Sequence, residues 1–258
     1  MRDLRVTLVQ SMQHWENAAA NRSLFAGKLE GLKGATDLIV LPELWTTGFS
    51  MNAALAETMD GETVRWMKEQ AARTDAAIYG SVIIAESGKT FNRGLFVIPD
   101  GSVTHYDKRH LFRFANETDH FNAGSKRVVV EWRDWRILLQ VCFDLRFPVF
   151  SRNKGDYDAA LYVANWPEAR RYPWSQLLIA RAIENQCYVV GVNRVGMDGK
   201  GIHYTGDSVA IDPKGEVMAS CGSATDCITH TVCDAAALED FRAKFPVGME
   251  TDDFDLKI

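Results

Sequence analysis

A chain of 258 residues, 47% hydrophobic and 24% charged, is long enough to bury a large core in one unit. Its formal net charge of -5 leaves no basic surplus for wrapping a phosphate backbone, which excludes nucleic acid as an expected partner. The N-terminal MRDLRVTLVQ carries charges inside its apolar run, and no run elsewhere approaches the roughly 20 apolar residues a bilayer requires, so neither a secretory leader nor a membrane span is expected.

Leu4–Gln10 (LRVTLVQ) alternates as a strand does, and Glu16–Leu32 has helical spacing through Ala20, Leu24, Phe25, Leu29 and Leu32, stopped at Gly34. Asp37–Pro42 (DLIVLP) is a near-continuous apolar run, the pattern of a strand covered on both faces, and Glu43 follows it directly. Thr63–Ala72 reads as a helix with Val64, Met67 and Ala71 on one face, and Ala76–Ala85 returns to strand. Leu95–Pro99 and Ser102–Tyr106 flank Asp100-Gly101, a hairpin signal, and Lys108 lies just past it. Val128–Trp132 and Arg136–Val141 flank Arg133-Asp134 as a second hairpin, closed by Cys142.

Farther on, Ala159–Ala164 is strand-like and runs into Asn165-Trp166-Pro167. Trp174–Asn185 is a helix, Cys187–Val192 a buried strand, and Asp207–Ala219 a hairpin with Pro213-Lys214-Gly215 at its tip. Helices interleave with strands early and late while hairpins fill the middle. The pattern predicts an α/β fold of two mixed sheets with helices outside, in one domain over 1–258.

Five cysteines, at 142, 187, 221, 227 and 233, make an odd count that fits a reducing, cytoplasmic setting better than a disulfide framework. The last three lack a CxxC pair, and His105, His110 and His120 match no metal-site spacing, so no metal is expected.

The informative pattern is that three apolar strands each deliver one reactive group at the C-terminal end: Glu43, Lys108 and Cys142. Open α/β sheets bind ligands at that edge. A thiol is only a few per cent ionised at neutral pH, so a nucleophilic Cys142 needs a base beside it or a cation near it, and Glu43 and Lys108 are candidates to supply both.

These residues sit in LPELWTTGF (41–49), YDKRHLF (106–112) and VCFDLRFP (141–148). The three stretches resemble the catalytic motifs of the nitrilase superfamily, the carbon–nitrogen hydrolases. The likeness extends through FNAG (121–124), ANWP (164–167), RAIENQCYVVGVNRVG (181–196) and SVAIDPKGEV (208–217). Within the superfamily it is most similar to the ω-amidase branch, which deaminates 2-oxoglutaramate-like substrates. The resemblance implies a four-layer α-β-β-α sandwich, homodimeric assembly, a small amide as substrate and no cofactor.

It also implies roles. Cys142 attacks an amide carbonyl, Glu43 moves the proton, and Lys108 with the backbone N–H of Phe143 receives the developing oxyanion. Glu117, in RFANETDHF, matches a second glutamate placed beside the lysine. Nitrile-hydrolysing members usually carry Trp-Glu after the cysteine; this chain has Phe143-Asp144, which points towards amides. Asp144 and Arg146 are expected to anchor the turn as an ion pair, and Pro148 to open a helix.

A dicarboxylic monoamide brings a remote carboxylate that a cation should receive; Arg113, Arg170 and Arg171 are the candidates, with Trp166 as a pocket wall. Two readings compete: N-carbamoyl or aliphatic amide hydrolysis by the same machinery, and a non-catalytic binding protein on this fold. An acyltransferase is disfavoured, since its lipid-modifying relatives carry membrane segments.

Overall fold

In the computed structural model, which describes residues 1–256, strand β1 (Leu4–Gln10) turns Leu4, Val6 and Leu8 towards one apolar core and Val9 towards another. That split follows from the period of two along a strand, and it makes the sheet a partition between two cores. Positions 257 and 258, the end of the span read as one domain, lie outside the described residues.

Helix α1 (Ala18–Lys28) follows, then β2 (Leu38–Val40), helix α2 (Glu62–Thr74), β3 (Ala77–Glu86), β4 (Lys89–Val97) and β5 (Val103–Asp107). After the short helix α3 (Glu117–His120) come β6 (Val129–Trp132) and β7 (Trp135–Val141). Helix α4 (Pro148–Ser151), β8 (Ala159–Ala164), helix α5 (Arg171–Asn185) and β9 (Tyr188–Asn193) build the second half. A ribbon of β10 (Val195–Met197) and β11 (His203–Thr205) precedes β12 (Val209–Ile211) and β13 (Val217–Ser220). Strand β14 (Cys227–Cys233) and helix α6 (Ala235–Lys244) end the regular structure.

Two six-stranded mixed sheets result, in the orders β14-β1-β2-β3-β4-β5 and β13-β12-β9-β8-β7-β6. Their facing sides share one core, in which Leu4, Val6 and Tyr79 of the first sheet belong with Trp135, Ile137 and Leu139 of the second. Outside the first sheet, Phe25 of α1 and Val64 and Met67 of α2 pack with Ile39 and Ile78. Outside the second, α5 buries Trp174, Leu178 and Ala182. The layers run α-β-β-α, as the sequence predicts.

Helix α5 lies so close to the sheet that a Cβ on Gly191 would stand 2.5 Å from Leu178 Cδ1 and 3.0 Å from the Trp174 ring, so a larger residue there would push those side chains aside. A leucine sealed as Leu178 is contributes about 2 kcal/mol.

Element boundaries depart from the sequence reading where polar residues are buried for local reasons. The strand expected from Leu95 starts at Lys89, because Asn92 and Arg93 are buried against carboxylates rather than turned to solvent. Helix α1 is shorter than Glu16–Leu32, since the Asn17 side chain caps it by accepting from Ala20 N and Glu16 has φ +53°. Strand β14, half-exposed and edge-placed, carries no continuous apolar run and escapes the sequence reading.

Candidate active site

Glu43, Lys108 and Cys142 each lie just beyond a strand, β2, β5 and β7 respectively. β2 runs parallel to β3, β4 reverses direction and β5 reverses again, so β2 and β5 deliver their ends to the same edge. Lys108 is fixed there by its own backbone, its N–H donating to Asn92 O at 3.0 Å.

The Lys108 ammonium donates to Glu43 Oε1 at 2.8 Å and to Glu117 Oε1 and Oε2 at 3.0 and 2.9 Å. Asn92 Nδ2 bridges the same two carboxylates, at 2.8 Å to Glu43 Oε1 and 3.1 Å to Glu117 Oε1. Glu43 Oε2 accepts from Asn165 N at 2.7 Å, and Glu117 Oε2 from Phe112 N at 2.6 Å. Gln13 Nε2 and Asn165 Nδ2 both donate to the Glu43 carbonyl, clamping its backbone at 3.1 and 2.6 Å.

Glu43, Lys108 and Glu117 are each 0% exposed, so water screens none of these charges. Burial works against the ammonium, but the carboxylates of Glu117 and Glu43 outweigh it and hold the Lys108 pKa above its ordinary range. Burial and the charge of Glu43 raise the Glu117 carboxyl, with Lys108 opposing them.

Cys142 is 7% exposed and occupies left-handed backbone, φ +49°, at the start of the 3-10 turn Cys142–Arg146. For a residue with a Cβ that costs on the order of 1–2 kcal/mol. Asp144 helps hold the turn: its oxygens accept from Val141 N at 3.0 Å, Tyr106 Oη–H at 2.8 Å and His110 N at 3.0 Å, with His110 Nδ1 at 2.7 Å. This ties the Cys142 turn to the segment carrying Lys108. Burial and the nearby Glu43 carboxylate push the Cys142 thiol well up, against the pull of Lys108, so the resting group is a neutral thiol.

The expected Asp144–Arg146 ion pair does not form, because those donors already fill the Asp144 oxygens. Arg146 instead lies over the Trp166 ring at 5.2 Å and lines a cavity of about 460 Å³ including its mouth. Cys142 and Asn165 open into the same space, walled by Phe49, Phe112, Phe143, Trp166 and Tyr204. Arg170 lines it too, its guanidinium over Phe112 at 5.0 Å. Neither Arg146 nor Arg170 has a carboxylate partner among the described residues.

The other two candidate arginines are elsewhere. Arg171 is exposed and makes a two-point pair with Asp207, at 2.8 and 2.7 Å, while Arg113 is exposed and outside the cavity lining. Trp166 combines wall and core: it borders the cavity, packs on Trp174 at 5.6 Å and donates Nε1–H to Arg170 O at 2.7 Å. Sequence reasoning missed Asn92, Arg146 as a cavity residue, and Ile202 and Tyr204 of the β10–β11 ribbon segment. Only Arg146, four residues after Cys142 in the same motif, carried a signal.

Four layers, with an acid and an amine beyond strands of the first sheet and a thiol beyond a strand of the second, are the frame of a carbon–nitrogen hydrolase. The chain belongs to the carbon-nitrogen hydrolase family, whose model matches residues 5–243. It is 50% identical over 256 residues to omega-amidase YafV of Escherichia coli (strain K12), covering 99% of this chain and 100% of that one. To the 2-oxoglutaramate amidase of Bacillus subtilis (strain 168) it is 34% identical over 217 residues, 82% of this chain and 83% of that one. Its fold superposes with TM-score 0.97 on XC1258 from Xanthomonas campestris, a CN-hydrolase superfamily protein with an arsenic adduct in its active site, at 50% identity over 99% of this chain and 100% of that one.

Proposed function

We propose that this amidase is an ω-amidase, releasing ammonia from the terminal amide of a small dicarboxylic monoamide such as 2-oxoglutaramate or 2-oxosuccinamate. One observation carries the reading: Arg146 and Arg170, free of carboxylate partners among the described residues, border the same cavity as the Cys142 thiol. Each guanidinium sits over an aromatic ring, which fixes its plane and leaves its N–H groups for a carboxylate.

In this reading Cys142 Sγ attacks the amide carbon while Glu43 accepts the thiol proton, since the resting thiol is neutral. The oxyanion that forms meets the Lys108 ammonium and the N–H of Phe143, near the start of a 3-10 turn whose first N–H groups have no acceptor within the turn. One such donor is worth about 3–4 kcal/mol. Glu43 returns the proton to the nitrogen, the C–N bond breaks, and a thioester remains on Cys142 as ammonia leaves. Water, deprotonated by Glu43, cleaves the thioester to the dicarboxylate and restores the thiol. Glu117 keeps Lys108 charged and aimed.

No helix among the described residues is long and apolar enough to cross a membrane. We further propose a cytoplasmic homodimer. Five free cysteines support the compartment, and exposed Tyr172 and Ile183 on α5 offer apolar surface for a second copy. A light-scattering mass of one chain contradicts the dimer.

The test is ammonia release from 2-oxoglutaramate against glutamine, asparagine, an N-carbamoyl amino acid, an aliphatic amide and a nitrile. The expected kcat/KM advantage over an uncharged amide is about 10–100-fold, the worth of a hydrogen bond to a charged group. A preference for the N-carbamoyl or aliphatic substrate replaces this reading with that sibling specificity.

A further inference from the structure

The two oxygens of Glu43 are not equivalent. Oε1 accepts from Lys108 Nζ and from Asn92 Nδ2, both at 2.8 Å, which occupies both of its lone pairs. Among the described residues Oε2 accepts only from Asn165 N, at 2.7 Å, and keeps one lone pair open. Asn92 belongs to β4, is fully buried, and makes one further contact with the site: its carbonyl receives Lys108 N at 3.0 Å. Its amide can face the site only one way, because carboxylate oxygens at 2.8 and 3.1 Å demand the NH2 group and would repel the carbonyl. The cost of that orientation is visible in Asn92 Oδ1, a buried acceptor with no partner among the described residues.

We infer that Asn92 is a positioning residue that saturates Glu43 Oε1 and thereby makes Oε2 the single oxygen that exchanges protons with Cys142, the leaving nitrogen and the hydrolytic water. A carboxylate free to rotate would present either oxygen and share its proton unproductively with the Lys108 side. With Oε1 bound twice, rotation breaks two hydrogen bonds to a buried charge. The other titratable groups whose charges bear on this carboxylate are Lys108 beyond β5, Glu117 of α3, Cys142 beyond β7, Tyr79 of β3 and Tyr204 of β11.

The experiment compares wild type, Asn92→Ala and Asn92→Ser on whichever amide the wild type turns over best, with kcat and KM followed across pH. Removal of the donor is expected to lower kcat about tenfold or more while KM moves less than threefold, the pattern of a proton-transfer defect. Serine, whose single hydroxyl reaches at most one carboxylate, is expected to fall between. The Glu117→Gln background separates the two bridged acids: the loss in kcat persists there if Asn92 acts through Glu43. Variants that fold, by circular dichroism, yet keep the wild-type kcat overturn the inference. So does a loss that vanishes in the Glu117→Gln background. If Asn92→Ala does not fold, Asn92→Ser is read alone against the same criteria.

Discussion

Lys108 donates to both oxygens of Glu117, at 3.0 and 2.9 Å, in a place where neither side chain touches solvent. Together with Glu43 this makes two carboxylates around one ammonium, with the Cys142 thiol facing the group. Truncating Glu117 leaves Lys108 paired with Glu43 but takes the acceptor from Phe112 N and one of the two from Asn92 Nδ2. Glu117→Ala should therefore cost about 1–3 kcal/mol of stability by denaturant unfolding. Glu117→Gln, which keeps the shape, should fold and lose about 100-fold in kcat through a misaimed ammonium.

The charges around Cys142 act in opposite directions on its thiol. Burial and Glu43 raise its pKa, and Lys108 lowers it. Glu43→Gln should therefore move the pH profile of iodoacetamide alkylation at Cys142 to lower pH, and Lys108→Met should move it to higher pH, although both variants lose amidase turnover. Shifts of the same sign in both would contradict the electrostatic reading of the site.

Arg146→Met and Arg170→Met remove cations that have no structural carboxylate partner among the described residues. Each should lower kcat/KM for 2-oxoglutaramate about 10–100-fold, chiefly through KM, while a length-matched amide without the carboxylate changes less than threefold. Arg171→Met, which only unties Asp207 at the surface, should leave both substrates unchanged.

Burial raises the Cys187 thiol to about 12, against about 8.5 in an unfolded chain. Below the lower value both states keep the proton and the buried thiol carries no pH-linked penalty. Between the two, the unfolded chain releases a proton that the folded one retains, so stability falls as pH rises, by up to about 1.4 kcal/mol per pH unit. Urea midpoints at about pH 8 and about pH 10 should fall less in Cys187→Ala than in wild type.

Strand-end chemistry was the legible part of the site. An apolar run that stops at a polar residue marks a place where chain leaves the core, and Glu43 and Cys142 are so marked, whereas Lys108 follows the largely unburied VTHYD strand and was marked by the Asp100-Gly101 hairpin before it. The tight turns were equally plain: Arg133 and Asp134 both take positive φ, at +52° and +67°, between paired Trp132 and Trp135. Asn92 was not legible, because it interrupts its strand as Phe-Asn-Arg and meets its partners across separations of 49 and 25 residues. Nor was the choice among arginines. Arg171 differs from Arg170 only in having Asp207 in reach, a fact of tertiary placement. Asp144 looked like a partner for Arg146 by proximity in sequence, yet Tyr106 and His110 claim it from another strand's end.

The most direct test of the account is mass spectrometry of enzyme quenched in acid during turnover of 2-oxoglutaramate. A thioester at Cys142 is expected, carrying the acyl part of the substrate without its amide nitrogen, and absent from Cys142→Ser and from enzyme given the dicarboxylate product alone. Undiminished ammonia release by Cys142→Ala, or an acyl group found on a different residue, would contradict it.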